Sequence, residues 1–206
     1  MCHITDRAVV HGRLPLEPIG TMKQLMTNTR KKARSIDGRL AVRQRFKLAS
    51  EFLRPLSGVV ARGFATRQKG KTAHGRAMSY LLMRAVEGEY PNQYVNPAQV
   101  RLSEGGLQNP VGIEVLRQGS LVRVEATSQM DGVHGLNLAW DDRLVLCAYH
   151  PGLCVAGIND EERLREEGFV ALQLPPLLAD KTVHLYLMVH DRDGRQWSNS
   201  RYLGEF

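Results

Sequence analysis

The feature that most constrains this chain is a single change in its hydrophobic period. From Arg39 the apolar residues Leu40, Val42, Phe46, Leu48, Ala49, Phe52, Leu53 and Leu56 recur at helical spacing, which predicts an amphipathic helix. Asp37 is placed to cap it, and Pro55 should kink or end it, although Val59, Val60 and Phe64 carry the spacing on past the proline. Thr72 can cap a second helix through Ala73, Ala77, Tyr80, Leu81, Arg84 and Ala85, with Gly88 as its stop. These elements read as a helical hairpin over residues 39–90.

After the Pro- and Asn-rich stretch Glu89–Pro97 the period becomes two. Val111 to Val115, Leu121 to Val124, Leu136 to Trp140, Leu144 to Ala148, Phe169 to Leu174 and Val183 to Val189 are alternations or short apolar runs. The sequence Asp191 to Gly194 marks a hairpin turn. Several short strands in about 100 residues predict an immunoglobulin- or fibronectin-like β-sandwich over residues 98–206. Residues 1–38 keep no sustained period and contain Gly12, Pro15, Pro18 and Gly20, so they read as an extended basic arm. The expected class is α+β, mainly β: arm, helical hairpin, then sandwich.

With 206 residues, 43% of them hydrophobic and 24% charged, the chain can build a core unaided by metal or disulfide. Collagen, knottin and membrane-span compositions are excluded. No apolar run reaches the roughly 18 residues of a membrane helix. The opening MCHITDRAVVHGRLPLEP lacks the charged-then-apolar order of a secretory signal, so a soluble cytoplasmic protein is expected.

Charge is divided as sharply as period. Residues 1–90 carry 18 Lys plus Arg against 6 Asp plus Glu, a net of +12, whereas residues 91–206 carry 10 against 15, a net of −5. Arg30, Lys31, Lys32 and Arg34, then Arg39, Arg43 and Lys47, then Lys69 and Lys71 are candidates for binding a polyanion, because clustered cations release counterions when they meet phosphates. The same residues can instead solvate a helix face or meet the acidic half of another copy.

Motifs for chemistry are sparse. His184 and His190 fall on one strand at even separation, and His150 lies near Cys147, but no CxxC, HxH or HExxH spacing occurs, so no metal is expected. Three cysteines without a signal peptide point to free thiols, with Cys147 a small core hydrophobe rather than a nucleophile served by His150. Gly70-Lys71-Thr72 imitates the end of a phosphate loop, yet Ala65 stands where that loop needs its first glycine. Asp141 and Asp142, with Asp160, Glu161, Glu162, Glu166 and Glu167, lack EF-hand spacing and read as solvated acidic surface.

The run QRFKLASEFLRPL at Gln44–Leu56, then Gly63-Phe64, AMSY at Ala77–Tyr80 and GEYP at Gly88–Pro91, resembles a family of uncharacterised bacterial proteins abundant in the Bacteroidota. VHLYL at Val183–Leu187, Asp193-Gly194 and SNSRYLG at Ser198–Gly204 are similar to that family's C-terminal signature. The first 25 residues depart from its usual Gly- and Val-rich opening. The resemblance implies the architecture and no activity.

No set of residues joins nucleophile, base and stabiliser, so an enzyme is not expected and no cofactor is implied. The leading expectation is a structural or interaction protein that associates with itself or docks into a larger assembly, its opposed charges allowing head-to-tail contact. The alternative is sequence-nonspecific nucleic-acid binding by the basic half.

Overall fold

The computed structural model describes residues 36–66, 69–127 and 138–206, and all of them fall in one compact unit. Three helices come first: α1 (Ile36–Leu53), α2 (Ser57–Gly63) and α3 (Ala73–Arg84). Pro55 sits in a single 3-10 turn, Arg54–Leu56, between α1 and α2. A proline cannot donate the backbone bond that would continue α1, and the apolar spacing then resumes as α2. Thr72 caps α3 as its sequence position predicts, its Oγ1 accepting from the Gly75 N–H at 3.0 Å.

Three local expectations change. Asp37 lies inside the first turn of α1 and not at its cap. α3 ends at Arg84, four residues before Gly88, because β1 (Val86–Glu87) pairs with β2 (Tyr94–Val95) and draws the chain out of the helix. Gly88, with φ of +82°, serves the turn of that small hairpin. Of the expected strand at Leu136 to Trp140, Leu136 lies outside the described residues and the described part is not a strand.

The remaining strands are β3 (Val111–Gln118), β4 (Leu121–Thr127), β5 (Arg143–His150), β6 (Val155–Ile158), β7 (Arg163–Leu164), β8 (Phe169–Gln173), β9 (His184–His190) and β10 (Arg201–Glu205). They form one sheet in the order β3-β4-β8 and a second in the order β10-β9-β5-β6, with β7 also on β5, every pair antiparallel. This is the connectivity of an immunoglobulin- or fibronectin-like sandwich: β3, β4 and β8 take the first, second and fifth strand positions, and β5, β9 and β10 the third, sixth and seventh.

The second sheet is covered on both faces, which divides the core in two. Leu144, Leu146 and Ala148 of β5 and Leu185, Leu187 and Val189 of β9 face Val122, Val124, Val170 and Leu172 of the first sheet. Their neighbours in sequence, Val145, Cys147, Tyr149, Tyr186 and Met188, face Phe52, Leu53, Leu56, Val60 and Leu81 of the helices. Successive strand residues point to opposite faces, so the unbroken apolar run Leu144–Ala148 is the signature of a strand buried twice. The described residues therefore form a helix layer, a central sheet and an outer sheet.

The segment linking helices to sandwich is stitched to the last hairpin. Ser103 Oγ donates to the Ser198 carbonyl at 2.7 Å, the Leu102 N–H to Ser200 Oγ at 2.8 Å, and Asn109 Nδ2 to the Asn199 carbonyl at 2.7 Å. Ser198 Oγ accepts from the Val189 N–H and donates to Asn109 Oδ1. The Ser198-Asn199-Ser200 run thus satisfies buried polar groups of a neighbouring segment as well as of its own turn. Gly63 and Gly105 permit the close approach: a Cβ on either would overlap the carbonyl of Leu102 or Trp197.

Candidate functional site

Arg30, Lys31, Lys32 and Arg34 lie outside the described residues. Arg39, Arg43 and Lys47 stand exposed at four-residue intervals along α1, which aligns them in one stripe. Lys47 meets Glu51 at 3.9 Å, a solvent-exposed pair of small energetic worth. Lys69 and Lys71 are exposed in the turn before α3, and Lys71 borders a separate cleft of about 440 Å³ with Thr72, Arg76, Tyr80 and Glu104.

Beside the basic stripe lies apolar surface that the helical period places in the core. Leu40, Val42 and Phe46 are 36%, 39% and 52% exposed, whereas burial on α1 begins at Ala49. The expected buried role of Phe46 is thus overturned: the apolar face of α1 runs on past the protein that covers it. Leu40, Arg43, Gln44 and Lys47 form one wall of a groove of about 330 Å³ whose other wall is Tyr90 and Pro91. Gln44 Nε2 donates to the Pro91 carbonyl at 2.8 Å and closes one side.

Not every cation of this half is available to a partner. Arg45 donates to the Leu82 carbonyl in the last turn of α3 at 2.6 Å and to the Val86 carbonyl of β1 at 3.1 Å. Arg76 is buried, bound to the Phe64 and Thr66 carbonyls and paired with Glu104 at 2.7 Å. Arg76 falls in the apolar spacing of α3, the one sequence signal for its burial.

The acidic half divides as well. Asp142, expected in solvated surface, is 2% exposed and accepts from Arg165 Nε at 3.2 Å and from the Ala139 N–H at 3.1 Å. Arg165 is itself buried, and its desolvation lowers the guanidinium pKa against the pull of Asp142. Glu162 pairs with Arg143, and Glu161 and Glu167 with Arg163. Asp141 and Glu166 make no ion pair among the described residues. Trp140, next to Asp141 in sequence, is 54% exposed, its carbonyl accepting from the Glu166 N–H.

The residues weighed for chemistry are dispersed. Cys147 is fully buried, and burial pushes its thiol up to about 12, so it stays protonated at neutral pH. His150, three residues along β5, projects from the opposite face and accepts from the Leu153 N–H at 3.1 Å. Asp142 lies beyond the other end of the strand. Cys147 and Cys154 are free thiols. His184 and His190 share the helix-facing side of β9 at its two ends: His184 contacts the Tyr202 hydroxyl at 3.0 Å, and His190 packs on Trp197 with ring centres 4.8 Å apart. Among the described residues no three His, Cys, Asp or Glu side chains converge to hold a metal ion, and no helix is long and apolar enough to cross a membrane.

Residues 18–204 match the family model of a family of unknown function, DUF6266. The chain belongs to this family. No curated protein and no solved structure matches it. The DUF6266 match spans the helices, the linking segment and both sheets, so the groove on α1 and the Trp140 corner both belong to the family domain.

Proposed function

We propose that the protein is a non-enzymatic assembly component that associates with copies of itself or docks into a larger protein assembly. The observation that carries this reading is the mixed character of the outer α1 surface: Leu40, Val42 and Phe46 are exposed on the same helix turns as Arg39, Arg43 and Lys47. Three apolar side chains left exposed on one helix are open to burial against a partner surface. A cationic stripe with Leu40 on one side and Val42 and Phe46 on the other offers a partner both apolar contact and charge. The net of −5 on residues 91–206 offers such a cationic rim a counterpart on a second copy. A bacterial source among the Bacteroidota, a cytoplasmic location and the Ser198–Gly204 run as a family signature belong to this same reading.

A second reading keeps one specific observation in its favour. The stripe Arg39, Arg43 and Lys47 can follow a phosphate backbone without reading bases. Light scattering of the full chain separates the two. Self-assembly predicts species larger than a monomer at low ionic strength that shrink as salt rises from about 0.01 M to about 0.15 M, where the screening length falls from about 30 Å to about 8 Å. A protein that stays monomeric until a short mixed-sequence duplex is added overturns self-assembly and leaves nucleic-acid binding.

A further inference from the structure

We infer that the contact between copies is heterologous: Trp140 of one copy enters the groove formed by Leu40, Tyr90 and Pro91 on the next, with Asp141 and Glu166 facing Arg43 and Lys47. This inference rests on the self-association reading and names the surfaces that carry it.

Shape and charge agree at the two places. Trp140 is a large side chain, 54% exposed, held on the corner where the turn after β7 packs against residues 140–142 through the Glu166–Trp140 backbone bond and the Asp142–Arg165 pair. Asp141 follows Trp140 in sequence and Glu166 is joined to its carbonyl, and neither carboxylate forms an ion pair among the described residues, unlike Asp142, Glu161, Glu162 and Glu167. The groove shares the apolar character and carries the opposite charge. It is a shallow depression of about 330 Å³ in which Leu40, Tyr90 and Pro91 give apolar surface beside Arg43 and Lys47. A buried aromatic anchor can supply much of a binding energy, and opposite charges around it set orientation and the rate of encounter.

Position in the fold makes the contact intermolecular. Trp140 precedes the first residue of β5, Arg143. The groove lies toward the other end: Phe52 of α1 packs on Tyr149 near the last residue of β5, and Tyr94, four residues after Tyr90, shares a cleft with Phe52 and Tyr149. The seven steps of β5 from Arg143 to His150 separate the ends by about 23 Å at roughly 3.3 Å per residue. No copy can fill its own groove. A knob at one end and a hole at the other is a head-to-tail contact, which closes into a ring or continues as a filament.

Sedimentation of full-length variants tests this. Trp140→Ala removes the knob and Leu40→Glu spoils the hole, and each alone should weaken self-association at least about 30-fold, as loss of an interface anchor does. Mixed in equal amounts, the two should form a dimer and stop there, because only the intact Trp140 of one and the intact groove of the other remain. Tyr90→Ala is a second hole variant that introduces no charge, and unchanged thermal midpoints show that each variant is folded. Loss of assembly in Trp140→Ala with none in Leu40→Glu or Tyr90→Ala indicates a symmetric contact between corners and overturns the inference. Unchanged assembly in all three overturns it while self-association stands, whereas a wild-type protein that is monomeric at low salt overturns both.

Discussion

Replacing Phe52 by Ala tests whether the helix layer and the sandwich unfold as one body. Phe52 is 5% exposed, on the face of α1 that meets the central sheet, with its ring edge-on to Tyr149 of β5 at 4.7 Å between centres. Truncating a buried phenylalanine costs about 3–5 kcal/mol in lost transfer energy and residual cavity, of which the ring pair accounts for about 0.5–1.5 kcal/mol. Set against the 5–15 kcal/mol typical of a whole domain, roughly, this is a large fraction. For a unit of this size the melting temperature should fall on the order of 10 °C, at about 2–4 °C per kcal/mol. Urea unfolding would be followed by helical ellipticity and by the change in tryptophan fluorescence as Trp197, 2% exposed beside β9, meets water, Trp140 being 54% exposed already in the folded protein. If the layers share one core, both signals shift to lower urea together and stay superimposed. A helical transition that moves while the Trp197 transition stays in place would refute the shared core and make the helices a separately melting appendage.

Two further perturbations probe the buried polar groups. Asp142→Ala strands the buried Arg165 guanidinium and should cost about 3–5 kcal/mol, as breaking a buried ion pair does; a denaturation midpoint within error of wild type would show that Arg165 finds water instead. Burial holds the imidazoles of His184 and His190 below their ordinary pKa, so the folded protein resists protons that the unfolded chain accepts. Their contribution is absent above about pH 6.5 and becomes a loss of stability as pH falls through that value. The double variant His184→Gln, His190→Gln should therefore flatten the stability profile between about pH 7 and pH 5, read from urea midpoints at each pH.

Much of the architecture is legible in residue order. The change from helical to two-residue period separates α1, α2 and α3 from the eight sandwich strands, and Thr72, Pro55 and the Asp191–Gly194 turn act where local chemistry places them. Each of these depends on neighbours within a few residues, so period and capping chemistry suffice to find them. The exposed apolar surface of α1 is less visible. Arg39, Arg43 and Lys47 are picked out by charge alone, but Leu40 and Phe46 look like core because a helical period records which residues share a face and is silent on what covers it.

The same distinction separates Asp142 from Asp141. Adjacent and identical in type, one is buried against Arg165 and the other is not, a difference set by a residue 23 positions away. Cys147 and Val145 likewise face the helices only because a layer from the first half of the chain closes over the central sheet. Residue order decides periods, turns, caps and the division of charge, since these follow from local sterics and composition. Which apolar residues are covered, which charges are paired, and that Trp140 and the α1 groove stand at opposite ends of β5 follow from contacts between segments distant in sequence, and those exist only once the layers have packed.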